Sequence, residues 1–333
     1  MLRDEITEPI RPIPQRRVIE KMNEYMSRRD YAGAERHLLY WLAEAQLGRD
    51  LDGLLILRNE MVGHYRKTGQ REKAMESAEE ALSLLAELGL EDAVIAGTTY
   101  VNIATACNAF GEYERSMELF EKARAVYEGS EYVEPQLLGG LYNNMALTCT
   151  ALGRYEEAMG LYEEAVRVMA DVPDGELEQA ITFLNMADTV EAQQGPEEGE
   201  SRIFGLVERA QELLEDKGRE ILGAGWIPAD EDGADGSEDE NADGTPAGRA
   251  CDGTPAGRAG NGSSAGRADN GSPAGRAGSD SGSALRGKSR EERARIGYYA
   301  FVCEKCAPTF DHYGYFLAAE ELKETAERIY REM

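Results

Sequence analysis

The sequence predicts an all-α fold, a solenoid of about six antiparallel helix pairs, and three observations lead there. Gly69, Gly111, Gly153 and Gly195 stand 42 residues apart. Each lies between two segments whose apolar residues recur at helical spacing. Small residues recur at fixed distances from these glycines: Ala104 and Ala146 lie seven residues before theirs, and Ala81, Ala123 and Ala165 lie twelve after theirs. The physical reading is a helix, a tight turn and a returning helix, with glycine taking the left-handed backbone that ends the first helix. Alanine at the crossing lets the two axes approach toward the short end of the usual range of about 8–10 Å. Tyr65, Tyr100, Tyr113, Phe120, Tyr142, Tyr155 and Tyr162 fill the remaining space.

Taken in chain order, residues 1–13 form an extended segment with two prolines, Pro9 and Pro12, and the array of repeats one to five runs over 14–217. In the first repeat Arg29 replaces the turn glycine, Asp30, Tyr31 and Ala34 open the second helix, and Trp41 stands at the alanine position. A terminal repeat tolerates this because one of its sides has no neighbour. The second, third and fourth repeats carry the glycines at 69, 111 and 153, and Ala109-Phe-Gly-Glu-Tyr113 is restated as Ala151-Leu-Gly-Arg-Tyr155. In the fifth, Asn185-Met-Ala187 restates Asn144-Met-Ala146, but the passage through Gly195, Pro196 and Gly199 is about four residues longer than its counterparts. A sixth repeat and cap occupies 292–333: His312 through Tyr330 aligns with Ala109 through Tyr127 at a constant offset of 203.

Between repeats five and six lie about 74 extra residues, Gly218 to Glu291, measured from the distance between Ala210 and Ala307. They contain an acidic block from Asp230 to Asp243, then nonapeptides beginning at Thr245, Thr254, Ser263 and Ser272 that carry Ala-Gly-Arg-Ala. Without periodic apolar residues such a segment cannot offset its ordering entropy and is predicted to be disordered. An expanded short DNA repeat, tolerated because loop closure costs little more as a loop lengthens, accounts for it without a function. A regulated tether is the alternative, and Trp226 and Ile227 are apolar enough to pack on the array first.

The repeated pattern resembles the tetratricopeptide repeat (TPR) family, and its 42-residue period is similar to the longer-helix kind found in kinesin light chains and many bacterial proteins. The resemblance covers about 260 of the 333 residues. It implies a right-handed superhelix whose first helices line a concave groove, and a protein-binding class of function. On that expectation the groove carries Asn102 and Asn144, nine residues before their glycines, with Asn185 in the same place. Asn59 and Asn143 stand one residue earlier, and Arg66, Lys67, Thr105 and Asn108 extend the same faces. Asparagine offers an acceptor and a donor together, so a row of them suits the main chain of an extended peptide; the resemblance implies that use. Two readings stay open: the amides hold a peptide, or they bridge adjacent helices and face water. A full carboxylate clamp is not expected, because Arg66 and Lys67 are matched by Asn108, Ala109, Thr150 and Ala151 in the next repeats.

Composition narrows the function further. There are 63 Asp and Glu against 36 Lys and Arg, a net charge of −27, which repels phosphate backbones and anionic lipid, so neither nucleic acid nor membrane is an expected partner. No run of about 18 apolar residues occurs, and Met1–Ile13 lacks the apolar core of a signal peptide, so a cytoplasmic protein is expected. Cys303 and Cys306 form a Cys-x-x-Cys, yet they fall at packing positions and no second pair completes a zinc site; like Cys107 and Cys149 they are expected to be buried thiols. Three histidines, His37, His64 and His312, belong to no nucleophile–base or metal pattern. No cofactor, metal or catalytic residue is therefore expected, and Pro308 is expected to kink or break the last first helix. The reading that follows is a non-catalytic scaffold or adaptor holding an extended segment of a partner protein. A peptide-responsive regulator and a self-associating structural protein, with homo-oligomers, are the alternatives.

Overall fold

A computed structural model describes residues 11–223 and 287–333. Among them twelve helices form six antiparallel pairs: α1 (Gln15–Ser27) with α2 (Tyr31–Gly48), α3 (Leu51–Lys67) with α4 (Arg71–Leu88), α5 (Val94–Ala109) with α6 (Tyr113–Gly129), α7 (Pro135–Ala151) with α8 (Tyr155–Met169), α9 (Gly175–Gln194) with α10 (Glu200–Leu222), and α11 (Arg290–His312) with α12 (Phe316–Glu332). The described residues contain no strand.

In five pairs three residues join the helices, and the middle one is left-handed: Arg29 at φ 55°, Gly69 at 71°, Gly111 at 78°, Gly153 at 72° and Gly314 at 84°. The residue after it then bonds back across the turn, as in Gln70 N to Tyr65 O at 2.9 Å, Glu112 N to Cys107 O at 2.8 Å and Tyr315 N to Phe310 O at 2.9 Å. These bonds satisfy carbonyls that the ending helix would otherwise leave open. Arg29 does the glycine's work at the cost of a Cβ crowding the carbonyl, about 1–2 kcal/mol. The fifth pair departs from the rule. Its four extra residues divide between two that lengthen α9 beyond the point where α7 stops and two that lengthen the turn, so Gly195 ends a helix instead of centring a turn.

The repeated alanines carry the packing: Ala81, Ala104, Ala123, Ala146, Ala187, Ala210 and Ala307 are fully buried. Ile103, Phe120, Leu141, Tyr162, Leu177 and Phe310 interleave with them, so each repeat shares its core with the next. The layers differ in spacing. From α3 onward each first helix meets the next first helix (α3 with α5, α5 with α7, α7 with α9, α9 with α11), whereas the second helices of neighbouring repeats barely meet. The stack therefore curves with first helices inside and second helices outside. The curl brings Arg290 Nη2 of α11 within 4.0 Å of Glu20 Oε1 of α1, so the last repeat faces the first.

Both expected bounds of the insertion shift inward. α10 continues past Gly218 to Leu222 because Ile221 is buried in the shared core and Gly218 packs under the Tyr299 ring. α11 begins at Arg290 because Ser289 and Glu292 form a reciprocal cap: the Glu292 N–H donates to Ser289 Oγ at 3.1 Å, and the Ser289 N–H donates to Glu292 Oε2 at 2.7 Å. The nonapeptides, Cys251, Trp226, Ile227 and the expected disorder lie outside the described residues. Pro308 does not break α11, which runs on to His312. It sits in the last turns, and the carbonyl it leaves without a helical partner belongs to exposed Glu304, where water reaches it.

Candidate peptide-binding groove

The inner layer is joined by a polar seam between successive first helices. Asn59 Nδ2 donates to Thr99 Oγ1 at 2.9 Å, joining α3 to α5. Asn108 Nδ2 donates to Thr148 Oγ1 at 2.6 Å, joining α5 to α7. Between α7 and α9, Thr150 and Thr189 share a hydroxyl bond of 2.8 Å and Asn185 Nδ2 donates to Asn143 Oδ1 at 3.1 Å. Three of the expected groove amides thus use a donor on a neighbouring helix. Asn59 is 8% exposed, with its Oδ1 buried and unbonded, and Thr105, equally buried, donates to Val101 O of its own helix. Asn144 is buried as well. Lys67 is exposed, with its ammonium 5.9 Å from the centre of the Tyr31 ring, and Arg66 is half-buried. Asn102, also half-buried, has no side-chain hydrogen bond among the described residues.

One position in every inner helix from α3 to α11 makes a row along the curve: Glu60, Asn102, Asn144, Asn185 and Lys305. Glu60 and Lys305 were legible, since each stands nine residues before its turn glycine as Asn102 does. Enclosure by the array acts on both ends of this row. Burial pushes the Glu60 carboxyl up to about 7. It pushes Lys305 down, opposed by the charge of Glu178 and assisted by that of Arg66 on the opposite side of the curl. Arg66 itself is pushed down by burial. The row is thus acidic at α3, uncharged through the middle and cationic at α11, in a channel where charge is poorly screened.

Repeat six is seated by a second polar cluster. Arg295 bonds Asp174 through Nε at 2.6 Å and Nη2 at 2.5 Å, and also reaches Glu220. Lys217, 8% exposed at its side chain, bonds Glu220 at 2.8 Å, Glu176 at 3.1 Å and Asp174 at 3.4 Å. The Arg295 guanidinium beside Asp174 holds that carboxyl below its usual value. Tyr298 donates to Glu178, and Tyr313 donates to Asp188 at 2.9 Å. The Cys303 and Cys306 thiols are buried in the core of this repeat, and burial pushes Cys303 up to about 12; Cys107 and Cys149 are pushed up to about 11 for the same reason. Among the described residues no cluster of metal-ligating side chains occurs and no helix is long and apolar enough to cross a membrane.

Known proteins share this arrangement of paired helices. Family models described as tetratricopeptide repeat match residues 54–129 and 139–171. These two segments are tetratricopeptide repeats. The matches fall on α3–α6 and within α7–α8, and the geometry carries the tetratricopeptide array outward through α1–α2, α9–α10 and α11–α12. BtubC (BKLC) from P. vanneervenii shares the solenoid, with a TM-score of 0.53 and 21% identity over 68% of this chain and 87% of that one. The nearly identical TPR-like repeats of a Podosopora anserina protein assigned to the kinesin light chains match with a TM-score of 0.49 and 20% identity, over 61% of this chain and 96% of that one. No curated protein matches the chain. A tetratricopeptide array of this kind is a protein-interaction scaffold.

Proposed function

We propose that the concave face holds an extended segment of a partner protein, without catalysis. The observation that carries this is the row Glu60, Asn102, Asn144, Asn185, Lys305, one polar side chain per repeat on the inner layer. Asn185 donates one amide hydrogen to Asn143, which leaves the Asn185 carbonyl as an acceptor and the Asn143 NH2 as a donor. Asn102 supplies a further donor and acceptor. Side-chain amides at repeat spacing pair with main chain and read little of a sequence, while the charged ends give the bound segment a direction: its basic part lies toward Glu60 and its acidic part toward Lys305.

Affinity purification with mass spectrometry from the native cell tests this, comparing wild type with Asn102→Ala/Asn143→Ala/Asn185→Ala, whose helicity is checked by circular dichroism. Loss of one partner with the triple change supports groove binding, and the partner identifies the pathway. A partner set unchanged by the triple variant refutes it.

A further inference from the structure

On the outer side of the array, α10 and α12 diverge and leave a cavity of about 280 Å³. Leu214 and Leu222 of α10, Tyr299 of α11 and Leu322 of α12 form its apolar wall. Small-molecule sites usually start near 300 Å³ and reach about 1,000 Å³, so this space has the size of one large side chain. Gly223 ends α10, turns away at φ 81° and itself lines the cavity. Three residues later in the sequence come Trp226 and Ile227. Three extended residues span at most about 10 Å, so the indole is within reach of the opening. Between 224 and 286 the only bulky apolar residues are this pair and Leu285; everything else is Gly, Ala, Ser, Thr, Pro, Cys, Asn, Arg or acidic.

We propose that Trp226, from the connection between repeats five and six, seats its indole in the cavity between α10 and α12, with Ile227 covering the edge. A buried indole N–H requires an acceptor, and Glu215 and Glu321 are among the residues that line the cavity. Those same carboxylates set the limit of the docked segment, because the acidic run starts at Asp230 and is repelled by them. The anchor closes the gap between the last two outer helices and fixes the direction in which the connection leaves the array.

The test uses the full chain with Trp41→Phe, which leaves Trp226 as its sole tryptophan. Trp41 meets His37 and Tyr40 edge-on, contacts that phenylalanine can keep. In the folded chain the emission is expected to be blue-shifted and acrylamide quenching several-fold weaker than in urea. Leu322→Glu, and separately Ala318→Phe, which fills the cavity without adding charge, are each expected to shift the emission to the red and restore quenching while the far-ultraviolet spectrum stays helical. Leu317→Glu, on the 83%-exposed face of α12, is expected to change neither. Quenching as free in the folded chain as in urea would overturn the proposal. So would protection that survives both cavity variants. Protection that grows with protein concentration would assign the cavity to a second copy, and protection that appears only with added lysate would assign it to a partner; either overturns the intrachain anchor.

Discussion

Replacing Glu60 by glutamine is expected to stabilise the protein at neutral pH and to leave it unchanged in acid. Glu60 faces the inside of the curl, where burial lifts its carboxyl from 4.5 to about 7. Between those two values the folded chain binds more protons at this site than the unfolded chain. Stability contributed by the neutral form is therefore complete below about 4.5, falls as pH rises through the window, and stays lost above about 7. At about 1.4 kcal/mol per tenfold change in proton activity, the interval sets a ceiling of about 3 kcal/mol. Because the side chain keeps partial contact with water, about 1–2 kcal/mol is the working expectation. Glutamine has the same shape and no charge to desolvate. Urea unfolding of wild type and Glu60→Gln, followed by circular dichroism at about pH 4 and about pH 8, reads this directly. The midpoints should coincide at the lower pH and separate in favour of the variant at the higher one. Equal midpoints at both, or an advantage as large in acid as at neutral pH, would refute the assignment of Glu60 to an enclosed channel.

Three further outcomes are expected. Asn108→Ala removes the bond to Thr148 and should cost about 1 kcal/mol in urea unfolding, whereas Asn102→Ala, which breaks no bond to a described residue, should be close to neutral. Gly97→Ala would place a Cβ 2.3 Å from the buried Tyr127 ring and should lower stability by about 1–3 kcal/mol in thermal unfolding; Gly63→Ala meets nothing within 4 Å and should be neutral or slightly stabilising. Arg295→Ala removes the paired bonds to Asp174 and should loosen repeat six by about 1 kcal/mol after allowance for its partial exposure. Hydrogen exchange would show this as faster exchange in α11 and α12 with α5 to α8 unchanged.

The six helix pairs were legible because a solenoid writes its packing locally. Each glycine, each alanine and even Arg29 acts within its own repeat or on the next, so a fixed period in the text is a fixed period in space. The sixth repeat could be recognised across its insertion for the same reason. The roles of the asparagines were less legible. Whether Asn108 faces a peptide or a neighbour depends on how far α7 is staggered against α5, and that offset is set by side chains on both helices. Thr99, Thr148 and Thr189 carry no mark in the sequence that announces them as partners, since each threonine also bonds its own helix at 2.9, 3.1 and 2.9 Å. The start of α11 did carry a mark, Ser289 followed three residues later by Glu292, which is the pattern of a reciprocal cap. Pro308 leaves α11 unbroken because it stands four residues before the helix end, where little helix remains to interrupt.

The seating of repeat six has a consequence for assembly. The chain between Gly223 and Gly287 is 63 residues long, so connectivity contributes only a weak, slowly varying closure term to where α11 and α12 settle. Their place is chosen by Asp174, Lys217, Glu220 and Arg295 and by the buried faces of Tyr299 and Phe310. Repeat six therefore behaves as an intramolecular ligand of the other five, held at the high effective concentration that its connection supplies. Two copies that exchange their sixth repeats keep every one of these contacts, and a chain cut within the connection keeps them too. What the array presents as one continuous stack is, in terms of exchange, a five-repeat receptor carrying its own removable sixth part.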